Sequence, residues 1–131
     1  MKGTYVLIIF MNKNIEISIG SLGPILFKEG FYFYIGSAMG ASGSATLVNR
    51  VKRHISLDNK KIHWHVDYLL ENENSIIIKI VLIPSSYRLE CIIAQELLDT
   101  SDGYIKNFGS SDCLCESHLI YFKNIKDFSI E

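Results

Sequence analysis

The sequence predicts an α+β domain, a central and mainly antiparallel β-sheet flanked by helices. Three patterns carry that expectation. Apolar runs and strict alternation dominate the chain up to about Ala38, a helical spacing begins near Ser44, and a β-branched run returns from Ser75. With 131 residues, 48% of them hydrophobic, the chain holds enough apolar material for one core, so a single domain over 1–131 is expected.

The elements follow in order. "MKGTYVLIIFMNKN" opens with a lysine and a short apolar run, but it has no small-residue cleavage site and is cut off by Asn12 to Asn14. It is too short to span a membrane and reads as a first strand over residues 4–11. "NKN" is turn chemistry, and residues 15–19 then alternate Ile-Glu-Ile-Ser-Ile, predicting a hairpin with the first strand. "GPILFKEGFYFYIGSA" gives a short extended piece and a strand over 31–36, followed by the loop "MGASGSA". From Ser44, Leu47, Val48, Val51 and Ile55 mark a helix that leaves Arg50, Arg53 and His54 on other faces and ends at Asp58-Asn59. "HWHVDYLLE" reads as a second short helix with His63 and Asp67 on one face. "SIIIKIVLI", between an Asn-Ser turn and Pro84, predicts a buried strand. Residues 87–98 predict an amphipathic helix with Leu89, Ile92, Ile93, Glu96 and Leu97, and "HLIYF" a last strand.

A net charge of −1 gives no global pull toward a polyanion, so a nucleic-acid reading must rest on local clustering. Such a cluster exists: Arg50, Lys52, Arg53, Lys60 and Lys61 face one acid, Asp58, in a segment that also holds His54, His63 and His65. It is either a phosphate-contacting surface or a solvated helix face. Three cysteines, two of them the close pair Cys113 and Cys115, suggest no disulfide framework and point to a reducing, cytoplasmic setting. Cys113, Cys115 and His118 with Asp112, or His63, His65 and Asp67, invite a zinc reading. One short loop offers at most three ligands and lacks the paired knuckles of a zinc finger, so zinc is not expected. "GSSDC" is either a tight turn or a nest of N–H groups for a phosphate. Trp64 reads as a packing anchor, with base stacking as the alternative.

The tripeptides "GTY" at 3–5 and "YIG" at 34–36, then "RVKRH" at 50–54 and a glutamate on a later helix, resemble the GIY-YIG nuclease superfamily. Thr4 stands where that superfamily has an aliphatic residue. "HWHVDYLL", "LECIIAQEL" and "FGSSDCLCESHLIYF" are similar to one branch, catalogued as domain of unknown function 123, found alone or fused to DNA glycosylases of the endonuclease III type. The resemblance covers nearly the whole chain and implies a GIY-YIG-like fold and a metal-dependent endonuclease that hydrolyses DNA, in a repair setting and with DNA or a glycosylase as partner. No membrane association is implied.

The resemblance also implies roles. Tyr5 would act as general base or position water, provided that cations or metal lower its phenol, and Tyr34 would share its network. Arg50 would clamp the scissile phosphate, and His54 would be a second acid-base or phosphate contact. Glu90 would bind one Mg²⁺ or Mn²⁺, with Glu96 as competitor. Lys52, Arg53, Lys60, Lys61, His63 and His65 would contact nucleic acid. The C-terminal asparagine that shapes such sites has its nearest counterpart in Asn107, where this branch carries "FGSSDC". That departure keeps open a second reading, a nucleic-acid-binding module that does not cut.

Overall fold

A computed structural model describes residues 1–56, 62, 64–110 and 115–125. The strands β1 (Gly3–Met11), β4 (Gly30–Ala38), β5 (Ser75–Pro84), β6 (Gly103–Tyr104) and β7 (Leu119–Phe122) form one sheet in the order β5-β1-β4-β7-β6. Every pairing in it is antiparallel. β2 (Ile15–Ser18) and β3 (Pro24–Phe27) make a separate two-stranded sheet. The helices are α1 (Leu47–Ile55), α2 (His65–Leu70) and α3 (Glu90–Asp99). The α+β class with a central antiparallel sheet is therefore what the chain adopts. Among the described residues no helix is long and apolar enough to cross a membrane.

β1 and β4 lie inside the sheet and are buried on both faces, as their dense apolar sequences require. Side chains alternate across a strand, so Tyr5, Leu7, Ile9 and Met11 join Tyr32 and Tyr34 in the core beneath α1 and α2. Val6, Ile8, Phe33 and Ile35 fall on the other face, against Ala94, Ile93 and Leu97 of α3. The alternation in "YFYIG" thus sends its two tyrosines to one side and Phe33 to the other.

Some expectations change. β2 pairs with β3, so the hairpin expected between residues 4–11 and 15–19 does not form. β1 instead takes β4 and β5 as neighbours. Alternation in β2 records one buried face and not the identity of the partner; Ile15, Ile17 and Ile25 pack on the tyrosine-side core. β5 is an edge strand, and Ile76, Ile78 and Leu82 remain exposed, against the buried strand expected of its β-branched run. Those residues suit a pleated strand whether or not both faces are covered. In α3, Ile92 is 61% exposed, and Ile93, Ala94, Leu97 and Leu98 face the core. The helix expected from about Ser44 begins at Leu47, where Thr46 Oγ1 accepts a hydrogen bond from the Asn49 N–H.

Two glycines are required by close approach. A Cβ on Gly3 would meet the backbone carbonyl of Ile83 and the Leu47 side chain, and one on Gly36 would meet the ring of Tyr5, its cross-strand partner. The Gly36→Ala protein is expected to lose about 2 kcal/mol in urea unfolding, as overpacking of a filled core does. Unchanged stability would show that the Tyr5 ring is free to move aside.

Candidate functional site

An open cleft of about 870 Å³ lies where β1, β4, α1 and α3 meet. Its lining includes Tyr5 and Gly36 from the paired strands, Tyr34, Arg50 from α1, Glu90 at the start of α3, and His65 and His118. Register explains the tyrosines: Tyr5 lies opposite Gly36 and Leu7 opposite Tyr34, so the two rings are diagonal neighbours with centroids 6.4 Å apart. Gly36 leaves the space that lets the Tyr5 ring lie over β4.

Behind this wall stands His54. It is 2% exposed, and its Nε2 is 2.7 Å from the Tyr5 hydroxyl. It does not line the cleft and meets it through the Tyr5 hydroxyl. Burial pushes the Tyr5 phenol far above its ordinary value, and Tyr34 raises it further while Arg50 pulls it down. Burial likewise raises Tyr34, helped by Asp67 and Glu90 and opposed by Arg50 and Arg53. The neighbouring cations therefore do not lower Tyr5 as a free phenolate base requires. The hydroxyl keeps its proton more firmly than a free phenol does, and it shares a hydrogen bond with His54 Nε2.

Tyr32 is raised too, by burial and by Tyr121. A phenol raised by folding keeps its proton in the folded state while the unfolded chain loses one above about pH 10. Stability is then constant below that pH and falls above it, by about 1.4 kcal/mol per pH unit for each buried phenol. Urea unfolding at stepped pH from about 9 to about 11 checks this slope; a flat profile would mean that these phenols ionise freely.

Arg50 and Arg53 take different parts. Both guanidinium carbons lie over the indole of Trp64, at 4.8 Å and 4.3 Å from its centre. Arg53 also grips Asp67 with two nitrogens, each 3.0 Å from a carboxylate oxygen. Asp67 is fully buried and its Oδ2 accepts from the Trp64 N–H at 2.9 Å, the first-turn carboxylate that closes α2. Arg53, expected to contact nucleic acid, is paired with Asp67 and joins α1 to α2. Arg50 points into the cleft, with Nη1 3.5 Å from the Ser37 carbonyl.

Glu90 lines the cleft with its side chain 14% exposed, and Arg88 lies 3.5 Å away. Glu96, its competitor, is exposed and lies outside the lining. Lys52 is exposed on α1. His65 lines the cleft; its Nδ1 accepts from the Gly109 N–H at 2.9 Å, and desolvation lowers its basicity. Lys60, Lys61, His63, Asp112 and Cys113 lie outside the described residues. Asn107 is exposed in a left-handed turn (φ 63°), bonds through its N–H to the Glu116 carbonyl, and does not line the cleft.

Sequence reasoning missed Arg88, Ser37, Cys91 and the placement of His118. Arg88 Nη1 is 3.4 Å from Ser37 Oγ and carries a second cation to the rim. Cys91, beside Glu90, meets Cys115 sulfur to sulfur as a disulfide pair with Cα atoms 5.6 Å apart, against the expectation that the cysteines stay unpaired. Only the position of Cys91 next to the candidate carboxylate hinted at a role.

No curated protein and no solved structure matches the chain. One family model does, over residues 4–130, and its span includes every described residue of the cleft lining. The chain belongs to the family described as domain of unknown function DUF123.

Proposed function

We propose that this domain is a metal-dependent endonuclease of GIY-YIG type that hydrolyses DNA phosphodiester bonds in a repair setting. One observation carries the proposal. Tyr5, Tyr34, Arg50 and Glu90, drawn from four separate elements, line one cleft, with His54 bonded to the first of them. Packing alone requires no arginine and glutamate to converge beside two buried phenols.

The donor set fits a hard divalent cation. Glu90 offers one carboxylate toward an open, polar cleft, which suits Mg²⁺ or Mn²⁺ retaining most of its water. When bound, the ion would supply Lewis-acid stabilisation of the charge that builds on the phosphate oxygens. The chain's own groups do the rest. Arg50 places a fixed, always protonated fork on the phosphate. Tyr5 hydrogen-bonds the attacking water, and as its oxygen takes the water proton its own proton passes to His54 Nε2, so no free phenolate is needed. His54 is the proton's destination. Tyr34 narrows the cleft and fixes the Tyr5 ring.

The test is cleavage of labelled single-stranded, duplex, flap and four-way DNA with Mg²⁺ or Mn²⁺, by wild type, Arg50→Ala and Glu90→Gln. Cleavage by wild type that disappears in both variants supports the proposal; cleavage that persists in both refutes it. A second reading, a DNA-binding module that does not cut, is favoured by Asn107 lying outside the cleft and by the stacking of Arg50 on Trp64. Salt-dependent binding without cleavage would select it. In that case a DNA glycosylase is the partner that would do the chemistry.

A further inference from the structure

Beside Glu90 the structure gathers a second group of donors that the proposed chemistry does not use. Cys91 from α3, and Cys115 and His118 from the segment leading into β7, bring two sulfurs and one imidazole nitrogen within 4.8 Å of one another. His118 Nε2 is 2.9 Å from Cys115 Sγ and 3.9 Å from Cys91 Sγ. The other ring nitrogen, Nδ1, lies on the side of Gly109, away from the sulfurs, so that Nε2 is the nitrogen turned toward them.

We propose that the reduced Cys91 and Cys115, with His118 Nε2, bind one Zn²⁺ ion, which staples the start of α3 to the approach of β7. Soft thiolates and a neutral imidazole are zinc's ligands, not magnesium's, so the site is chemically distinct from the Glu90 carboxylate. A cystine uses two of the three gathered donors, whereas a chelate uses all three. Two thiolates at about 2.3 Å from a tetrahedral ion stand about 3.8 Å apart. Cα atoms 5.6 Å apart allow that spacing by side-chain rotation alone. The electron balance is explicit. A thiol reductant gives two electrons and two protons to the disulfide pair and is itself oxidised to a disulfide; Zn²⁺ then displaces the two thiol protons. Three protein donors leave a fourth position for water or another donor.

The site explains why Cys91 stands where it does. Glu90 is the first residue of α3, and anchoring its neighbour fixes the carboxylate at the cleft.

The experiment uses the whole chain, purified with a thiol reductant and zinc salt and then desalted. Elemental analysis is expected to find one zinc per chain, and replacement by Co²⁺ to produce the near-ultraviolet absorption of thiolate-to-cobalt charge transfer. Cys91→Ser and Cys115→Ser should each abolish stoichiometric zinc, and His118→Ala should weaken competition against a chelator by about a hundredfold. The cobalt spectrum reads thiolate ligation in wild type, so an unfolded variant does not leave the question open. Reduced wild type that retains no zinc and shows no charge-transfer band overturns the proposal. So does zinc that survives Cys91→Ser unchanged. A disulfide that resists the reductant, seen as a mass two hydrogen atoms short, overturns it in favour of a structural cystine.

Discussion

Under the proposed endonuclease function, Arg50→Ala is expected to lower DNA cleavage by about a hundredfold to a thousandfold, some 3–4 kcal/mol of lost transition-state stabilisation. The guanidinium lies in a cleft whose walls are two buried phenols and a carboxylate, where a positive charge is screened less than at an open surface. Its loss should fall on the rate more than on substrate affinity, because the charge it meets grows as the phosphorus becomes pentavalent. Arg50→Lys should recover only part of the activity, since an ammonium replaces a planar fork with a point charge. Stability should barely change: Arg50 makes one long contact to a carbonyl and one stacking contact, both at the cleft. Single-turnover kinetics beside a thermal melt separate the two effects. A large drop in melting temperature with unchanged turnover would make Arg50 a packing residue.

Asp67→Ala is expected to do the reverse. It removes a carboxylate with no exposure to solvent that holds two guanidinium nitrogens and a backbone N–H. What remains is a half-sheltered Arg53 beside Trp64. Removing one partner of a buried pair costs about 3–5 kcal/mol, and the lower figure applies because Arg53 keeps 27% of its side chain in solvent. The melting temperature should fall by roughly 10 °C. Arg53→Met combined with Asp67→Leu should recover much of the loss, since it leaves neither charge unpaired. If the double variant is no better than Asp67→Ala, the carboxylate serves α2 and Trp64 more than Arg53.

These two arginines show where the sequence was legible. Both stand on α1 within the same basic cluster, and helical spacing could place them but not tell them apart. Their difference is made by α2, which brings Asp67 to one of them. Tyr5 and Tyr34 were legible through the resemblance of "GTY" and "YIG" to known motifs, while the seating of Tyr5 on Gly36 is set by the register of one strand against another. Strand pairing was not legible. β2 shows the alternation of a hairpin partner, and the contest between β1 and β3 for it is decided by the whole sheet. The thiol and imidazole cluster was missed for the same reason. Motif reading groups neighbours in sequence, and Cys91 lies 24 residues from Cys115.

The seating of the Tyr5 ring on Gly36 makes the two short motifs a single object with two halves. A mutation drift that placed a side chain at residue 36 would evict the ring, and one that shrank residue 5 would leave a hole over the neighbouring strand. Either half alone is a defect, so a lineage can abandon this tyrosine only by accepting both changes together. That makes the pair a fossil marker. A descendant that lacks the proposed chemistry should have lost both residues or neither, and the intermediate with one should be rare.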